Sequence, residues 1–175
     1  NISVRNSEGQ EIVKTTTNST GYYRVCGLLP GTYTVCEELM PGWTNLTPLC
    51  KPANVTTANL TGVNFTNTRL GCIEGRKTNS TSGAGLANWN VSVRNGAGQE
   101  VLTTTTNATG YYRVCGLLPG TYTVCEELKP GFVNVTSTCV TINLNCTNNI
   151  ASVNFTNIPA VQNGSISGYK INQSC

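Results

Sequence analysis

The residues of this chain that could carry chemistry are its cysteines and glutamates, because the sequence contains no histidine and no aspartate. Histidine is the commonest general base and the commonest metal ligand, and it is a member of most nucleophilic triads. The eight acidic residues are all glutamates, and most of them recur at equivalent places of an internal repeat. We therefore predict that the chain is not an enzyme and that it holds no cofactor and no metal.

Nine cysteines in a chain with few charges indicate an oxidising compartment. The candidates for disulfides are Cys26, Cys36, Cys50, Cys72, Cys115, Cys125, Cys139, Cys146 and Cys175. The sequence does not give their connectivity, and their odd number leaves one thiol free or shared between chains. Because Cys26 and Cys36 alternate with inward-facing Val25 and Val35, we expect both cysteines to face away from the core.

Acceptor sites for N-glycans are dense. The pattern Asn-x-Ser/Thr occurs fourteen times, whereas the Asn, Ser and Thr content gives roughly five by chance. The acceptors are Asn1, Asn18, Asn45, Asn54, Asn59, Asn64, Asn79, Asn90, Asn107, Asn134, Asn145, Asn154, Asn163 and Asn172. The excess predicts a heavily N-glycosylated surface and, together with the cysteines, an extracellular or cell-surface location.

The chain is one unit written twice. Residues 15–43 read TTTNSTGYYRVCGLLPGTYTVCEELMPGW, and residues 104–132 read TTTNATGYYRVCGLLPGTYTVCEELKPGF. Shorter matches before and after this stretch, ISVRN with VSVRN and a second VNFTN, extend the repeat in both directions. Near-identity over this length indicates tandem copies of one domain of about 90 residues.

Apolar residues alternate with polar ones within each copy, as at Tyr23 and Val25, and glycine- and proline-rich turns follow at short intervals. Alternation with a turn about every 8 to 12 residues is typical of a short-stranded antiparallel sandwich. We predict an all-β chain with two tandem Ig-like or prealbumin-like β-sandwich domains and a C-terminal donor strand. Copy one is 1–70, copy two is 71–158, and the linker with its donor strand is 159–175.

The two ends of the repeat do not match. Copy two opens with a strand-like stretch at 71–79 that copy one lacks, whereas the tail at 165–172 repeats its pattern. In one interpretation, Ile166, Gly168 and Lys170 lie on a donor strand that completes copy one of the next subunit, which yields an open head-to-tail filament. In the other interpretation, the sequence is a slice of a longer tandem array.

Copy two resembles the SdrD B-like and Cna B-type repeats of microbial surface proteins. The residues that carry the resemblance are Ile-Glu-Gly-Arg-Lys at 73–77, Gly-Leu-Ala-Asn-Trp-Asn-Val at 85–91, Thr-Thr-Thr at 104–106, Gly-Tyr-Tyr at 110–112 and Gly-Leu-Leu-Pro-Gly-Thr-Tyr-Thr-Val-Cys-Glu at 116–126. Through the repeat, the resemblance covers essentially the whole chain. It implies a prealbumin-like or Ig-like sandwich that serves as a stalk, spacer or pilus module.

Many proteins of this kind bind calcium through an Asp-rich loop after the first strand. The matching loop here, at 79–85, contains no carboxylate. Calcium requires several hard oxygen ligands, including anionic ones. We therefore predict that the calcium site is lost.

The resemblance also implies a covalent bond, because Cna B-type domains often carry a Lys–Asn isopeptide bond promoted by a nearby Glu. Period-two alternation places Lys77, Glu126 and Asn157 on the same faces as inward-pointing apolar residues. Burial favours the neutral amine of a lysine and the protonated acid of a glutamate, which amide exchange needs. The alternative is a Lys–Glu ion pair with the Asn capping a turn.

In copy one the equivalent residues are Glu37 and Asn67, and the lysine that the pattern offers is Lys170 of the tail. If strands are exchanged, Lys170 is expected to join Asn67 of the next subunit. That bond would lock the filament covalently.

Charge and hydropathy argue against two classes of partner. The net charge of +3 comes from scattered Lys and Arg without a basic run, so we expect no nucleic acid. No apolar run approaches the roughly 18 residues that a membrane-spanning helix needs.

The predicted partners are other copies of the chain, in a head-to-tail homopolymer, and covalently attached N-glycans. The predicted function is the structural subunit of an extracellular filament or pilus-like fibre. The alternative is a repeat segment of a long cell-surface adhesin or stalk, or an S-layer-associated binding module.

Overall fold

The computed structural model describes residues 1–161 and 164–170, and these residues form strands, turns and irregular segments without a helix. This confirms the predicted all-β class. The chain divides into two compact units, one of which comprises residues 1–73, 114–122 and 142–151, and the other the remaining described residues. Because these units do not follow the repeat, the division into copies at residue 70 stays a prediction.

Copy one contributes six strands, which we number β1 to β6. Their bounds are Ile2–Arg5, Glu11–Thr15, Gly31–Glu37, Trp43–Asn45, Cys50–Val55 and Asn67–Arg69. Four of them form a sheet in the order β2-β1-β3-β5, and β4 pairs with β6 in a two-stranded sheet. The buried side chains of Ile2, Val4, Val35 and Ala53 form the core of this copy.

Copy two contributes nine strands, β7 to β15. Their bounds are Gly71–Asn79, Asn90–Asn95, Glu100–Thr105, Tyr111–Leu117, Gly120–Glu126, Phe132–Asn134, Cys139–Leu144, Ile150–Ser152 and Phe155–Pro159. One sheet has the order β13-β11-β8-β9, which repeats the four-stranded sheet of copy one. The other has the order β10-β7-β15-β12, with β14 also paired to β7. Val91, Val124 and Phe155, which come from strands of both sheets, are fully buried, in agreement with the predicted β-sandwich.

The first hairpin shows how the sequence sets this fold locally. The Asn6 side-chain oxygen accepts hydrogen bonds from the backbone N–H groups of Glu8 and Gln10, at 3.1 and 3.0 Å. Gly9 takes a φ of 81°, which a residue with a Cβ rarely adopts. Asn95 bonds in the same way in copy two, so both copies turn at the same place.

The two copies differ in their second sheet. Residues 21–31 of copy one are identical in sequence to residues 110–120 of copy two. In copy two most of this segment is strand β10, whereas residues 21–30 of copy one form no strand. The sheet order places β7 next to β10, and residues 1–70 contain no strand that corresponds to β7. The shared segment is therefore a strand only where a neighbour is present to bond it.

The tail was predicted to contain a donor strand. Residues 164–170 are exposed and form no strand in the single chain. Ile166 and Tyr169 are fully open to solvent, at 104% and 99% relative exposure. The donor strand stays a prediction about a second chain.

Candidate functional site: a buried lysine, acid and amide

Strand β7 carries the only lysine of the described residues that is completely buried. Ile73, Gly75 and Lys77 alternate inwards along this strand, and Lys77 has no exposed surface. A Cβ at Gly75 would lie 1.7 Å from the carbonyl oxygen of Val153, so the backbone of β7 approaches its neighbour as closely as only glycine permits. Strand alternation thus delivers Lys77 to the interior, as the sequence predicts.

The structure brings the three predicted residues together. The Lys77 amine donates hydrogen bonds to Glu126 Oε2 and to Asn157 Oδ1. Glu126 comes from β11 and is 6% exposed, and Asn157 comes from β15 and is 0% exposed. Strand β15 runs parallel to β7 with Phe155 opposite Lys77, which places Asn157 two residues further along, on the same face.

Aromatic rings close the site around the amine. The Lys77 Nζ lies 4.7 Å from the centroid of the Trp89 ring and 5.8 Å from that of Phe155. The Trp89 ring is held by Phe132, whose ring packs edge-on at 5.1 Å, and by a 2.6 Å hydrogen bond from its indole N–H to the Glu127 carbonyl. Trp89 is not among the residues predicted for this site. Its position directly before strand β8 was the available signal.

Burial lowers the pKa of the Lys77 amine below its usual value, because a charge is costly away from water. The hydrogen bond and the charge of Glu126 act in the opposite direction on that pKa, with a smaller effect. The Asn157 amide is oriented by its own NH₂ group, which donates to Asn134 Oδ1 at 3.3 Å. The amide therefore turns its carbonyl towards Lys77. The arrangement sets an amine with a reduced tendency to be charged against an amide carbon and a carboxyl group.

Copy one holds the acid and the amide without the lysine. Asn67 Nδ2 donates to Glu37 Oε2 at 2.5 Å, so these two predicted residues also meet. The other oxygens of the pair, Glu37 Oε1 and Asn67 Oδ1, are buried without a hydrogen-bond partner. Lys170 is exposed in the tail, and within the described part of the chain it forms no ion pair with Glu37.

Three disulfides are present. Cys36 bonds Cys50 and Cys125 bonds Cys139, in each case across neighbouring strands of the four-stranded sheets. A third disulfide, between Cys72 of β7 and Cys115 of β10, was not foreseen from the repeat. Among the described cysteines, Cys26 and Cys146 are free and exposed, whereas Cys175 lies outside the described residues.

Cys36, which was expected to face away from the core, does not belong to the core cluster of copy one but is not exposed either. Cys36 is only 4% exposed, and its counterpart Cys125 is 7% exposed. Both are buried although each lies between two inward-facing residues of its strand, and each forms a disulfide to the neighbouring strand of its sheet. Cys26 is exposed, as expected.

Glycan acceptors lie at the surface wherever the structure describes them. Most are exposed, and the half-buried ones are Asn45, Asn79 and Asn134. Asn163 and Asn172 lie outside the described residues. Asn157, the buried asparagine of the site, is followed by Ile-Pro and is not an acceptor.

The loop after β7 bonds to itself. Asn79 Oδ1 accepts hydrogen bonds from the backbone N–H of Thr81, at 2.9 Å, and from that of Ser82.

Over the residues that the structure describes, no cluster of three or more His, Cys, Asp or Glu is able to hold a metal ion. The same residues include no helix of the length and apolarity that crossing a membrane requires.

Comparison with known proteins gives two similarities in sequence. A family model, the carboxypeptidase regulatory-like domain, matches residues 73–156. The serine-aspartate repeat-containing protein F of Staphylococcus epidermidis is 30% identical over 152 residues, covering 75% of this chain. The chain spans 9% of that relative's length. These similarities confirm the predicted resemblance to microbial surface-protein repeats and agree with the prediction that the chain is not an enzyme.

Several solved structures are similar at low identity. The Bacillus anthracis TIE protein is 23% identical with a TM-score of 0.46, over 90% of this chain and 30% of that one. GBS52, the minor pilin of Streptococcus agalactiae, is 14% identical with a TM-score of 0.46, over 87% and 70% of the two chains. The shaft pilin spaA of Lactobacillus rhamnosus GG is 13% identical with a TM-score of 0.47, over 93% and 94%. These values are those of distant likenesses.

Proposed function

We propose that the chain is a structural subunit of an extracellular filament or pilus-like fibre, and that copy two is locked by an isopeptide bond between Lys77 and Asn157. The observation that carries the proposal is the buried contact of the Lys77 amine with both Glu126 and Asn157. If Lys77 and Glu126 formed only an ion pair, the Asn157 amide would not have to contact the lysine nitrogen as well. Burying it also gives little net stability, because desolvation offsets the attraction between the charges.

The bond forms by exchange of one amide for another. The neutral nitrogen of Lys77 bonds to the side-chain carbon of Asn157, and the bond from that carbon to Nδ2 breaks. Glu126 takes a proton from the lysine nitrogen and gives one to the departing Nδ2, which leaves as ammonia. No oxidant or reductant is consumed. The lowered pKa of Lys77 favours the form of the amine that reacts.

The position of this bond suits a load-bearing role. Lys77 lies on the first strand of copy two and Asn157 on the last, and these strands are paired in parallel. Tension that enters through β7 and leaves through β15 would cross the new bond directly. Residues 78–156 would then be shielded from the load. The disulfide between Cys72 and Cys115 ties β7 to β10 in the same sheet.

Assembly is proposed to run head to tail, with the strand at 164–170 of one subunit completing copy one of the next. Glycans at the exposed acceptors would cover the surface, and the disulfides support a location outside the cytosol. The similarity to the serine-aspartate repeat-containing protein supports a cell-surface location. No substrate, cofactor or nucleic acid takes part in this function.

The second function that an observation favours is a repeat segment of a long surface adhesin, stalk or S-layer-associated module. It is favoured because the chain spans 9% of its serine-aspartate relative. Both functions use the Lys77–Asn157 bond in the same way. They differ in whether neighbouring copies belong to one polypeptide or to many, which self-association of the purified chain distinguishes.

The test of the bond is the intact mass of the reduced chain, produced in a host without N-glycosylation. We expect the mass to fall short of the sequence mass by one ammonia for each bond formed. A cross-linked peptide pair containing Lys77 and Asn157 should be found after digestion. In Lys77→Met the mass deficit of one ammonia that this bond causes should disappear, whereas in Lys129→Met it should remain. Lys129 lies over the same Trp89 ring, at 5.2 Å, but is not buried.

Folded protein in which Lys77 and Asn157 are recovered only on separate, unmodified peptides would contradict the isopeptide proposal. The three residues would then form a buried ion pair with a hydrogen-bonded amide.

A further inference from the structure

Apolar side chains that are buried next to β7 in copy two are more exposed to solvent at the equivalent positions of copy one. In copy two, Tyr112, Val114 and Leu117 of β10 are buried. Their counterparts Tyr23, Val25 and Leu28 are only half-buried, although they pack against the core of copy one. The same holds for Val63 and Phe65, whose counterparts in copy two are Val153 and Phe155. We call the surface of copy one that these half-buried side chains form the apolar groove, and it lies beside residues 21–30, which form no strand.

The groove contains a buried acid without a cation. Glu37 is 9% exposed, and its Oε1 has no hydrogen-bond partner. The ion pairs of the described residues are Lys14–Glu38, Lys77–Glu126 and Arg113–Glu74. An unpaired buried carboxylate is costly, and in copy two the Lys77 amine contacts the equivalent Glu126. The missing group is therefore a lysine amine on an extended strand.

The groove also restricts the residue that lies two positions before that lysine. In copy two the Tyr112 hydroxyl donates to the Val153 carbonyl at 2.6 Å, and Gly75 passes against this carbonyl. In copy one the Tyr23 hydroxyl donates to the Val63 carbonyl at the same 2.6 Å. The backbone that lines the groove is therefore built in the same way. An entering strand needs glycine at this position.

We propose that copy one is an acceptor groove, formed by Tyr23, Val25, Leu28, Glu37 and Asn67, for residues 164–170 of a second copy of this chain. The inference rests on the proposed head-to-tail assembly and identifies its binding site. Ile166, Gly168 and Lys170 have the same spacing as Ile73, Gly75 and Lys77. The strand enters parallel to β6, with Lys170 between Glu37 and Asn67.

Cys26 fixes the register of the entering strand. Its counterpart Cys115 bonds Cys72, which lies five residues before Lys77. Ser165 lies at the same distance before Lys170. In the proposed register Ser165 is therefore beside the free thiol of Cys26. Ser167 corresponds to Glu74, which contacts Tyr111 and Arg113, so it should lie beside Tyr22 and Arg24.

The experiment is oxidative cross-linking of the full chain with Ser165→Cys, compared with Ser167→Cys. Both positions are exposed in the tail, so neither change affects folding of the single chain. We expect Ser165→Cys to give disulfide-linked oligomers, with peptide mapping that joins the introduced thiol to Cys26. Ser167→Cys should join Cys26 at least about tenfold less, because a disulfide tolerates little displacement of its two strands.

Two further variants test recognition by the groove. Added to Ser165→Cys, Lys170→Met should reduce the yield of the Cys26 linkage by at least about tenfold, because the Glu37 carboxylate stays buried and unpaired. Gly168→Val should abolish it. Lys129→Met should leave the yield unchanged.

Three outcomes overturn the inference. If Ser165→Cys and Ser167→Cys were linked to Cys26 with equal yield, the tail would contact copy one without a defined strand register. Self-association without any linkage to Cys26 would mean that assembly is real but uses another surface. A Cys26 thiol protected in the unaltered protein even after deletion of residues 164–170 would mean that a different segment fills the groove. Whether the Lys77–Asn157 bond forms is measured separately, by the intact mass, so its absence does not affect the result of the cross-linking experiment.

Discussion

Tyr112 and Gly75 meet at one backbone oxygen: the tyrosine hydroxyl donates to the Val153 carbonyl at 2.6 Å, and a Cβ on Gly75 would stand 1.7 Å from the same atom. The tyrosine is 2% exposed, so its hydroxyl depends on this acceptor. The close approach of β7 allows Lys77, two residues later, to reach the interior between β10 and β15.

Gly75→Ala is therefore expected to destabilise the protein by about 3 kcal/mol, since the new methyl group displaces backbone and not a flexible side chain. Gly31→Ala is the matched control, because a Cβ there meets Tyr33 at an ordinary 3.8 Å. The control should change stability by less than about 0.5 kcal/mol. Denaturant unfolding followed by tryptophan fluorescence gives both values. Equal effects of the two changes would contradict the close contact at Gly75.

The titration of Lys77 gives a pH dependence when the isopeptide bond is absent. In Asn157→Ala the amine stays free, and burial holds its pKa below the value in the unfolded chain. Between the folded pKa and the unfolded pKa of about 10.4, the unfolded chain binds the proton that the folded chain has released. Stability therefore rises with pH in that window, by at most about 1.4 kcal/mol per pH unit. Below the folded pKa both states are charged, and this contribution to the slope vanishes.

Unfolding free energies from about pH 8 to about pH 9 measure this slope, and the upper limit stays below the pKa of about 10 of unfolded tyrosine. Burial raises the pKa of Tyr112, so above that limit Tyr112 makes stability fall as pH rises. The double variant Lys77→Met/Glu126→Gln removes both ionisable groups of the site and should show no rise. A rise of equal size in that variant would assign the pH dependence to other groups.

The disulfides should contribute according to the chain that each one closes. Cys125 and Cys139 are separated by 14 residues, whereas Cys72 and Cys115 are separated by 43. Loop-closure entropy predicts a loss of about 3 kcal/mol for the shorter loop and about 4 kcal/mol for the longer one. Paired Cys→Ala variants compared by denaturant unfolding test this order. A larger loss at Cys125–Cys139 would show that native packing, and not chain entropy, dominates their effect.

Alternation along single strands made the faces of Lys77, Glu126 and Asn157 predictable, because a strand's side chains alternate whichever strands lie beside it. Pairing between strands was not predictable in the same way. The bond from Cys72 to Cys115 depends on β7 lying beside β10, which no local pattern encodes. Residues 21–31 and 110–120 show the limit clearly: one sequence gives a strand in copy two and none in copy one. Whether this segment becomes a strand depends on hydrogen bonding to a neighbouring strand, which β7 provides in copy two.

The same chemistry can form covalent bonds between subunits. If Lys170 enters copy one of a neighbour, its amine faces the Asn67 amide beside Glu37, and the exchange written for Lys77 can join two chains with loss of ammonia. Unglycosylated protein boiled in detergent with reductant should then run as a ladder of multiples. Lys170→Arg should collapse the ladder to single chains, because a guanidinium stays charged and does not attack the amide. Glu37→Gln should do the same by removing the proton carrier, whereas Lys129→Arg should leave the ladder intact. A single species from the unaltered protein would rule out the Lys170–Asn67 bond, and any assembly would then depend on non-covalent strand binding and disulfides.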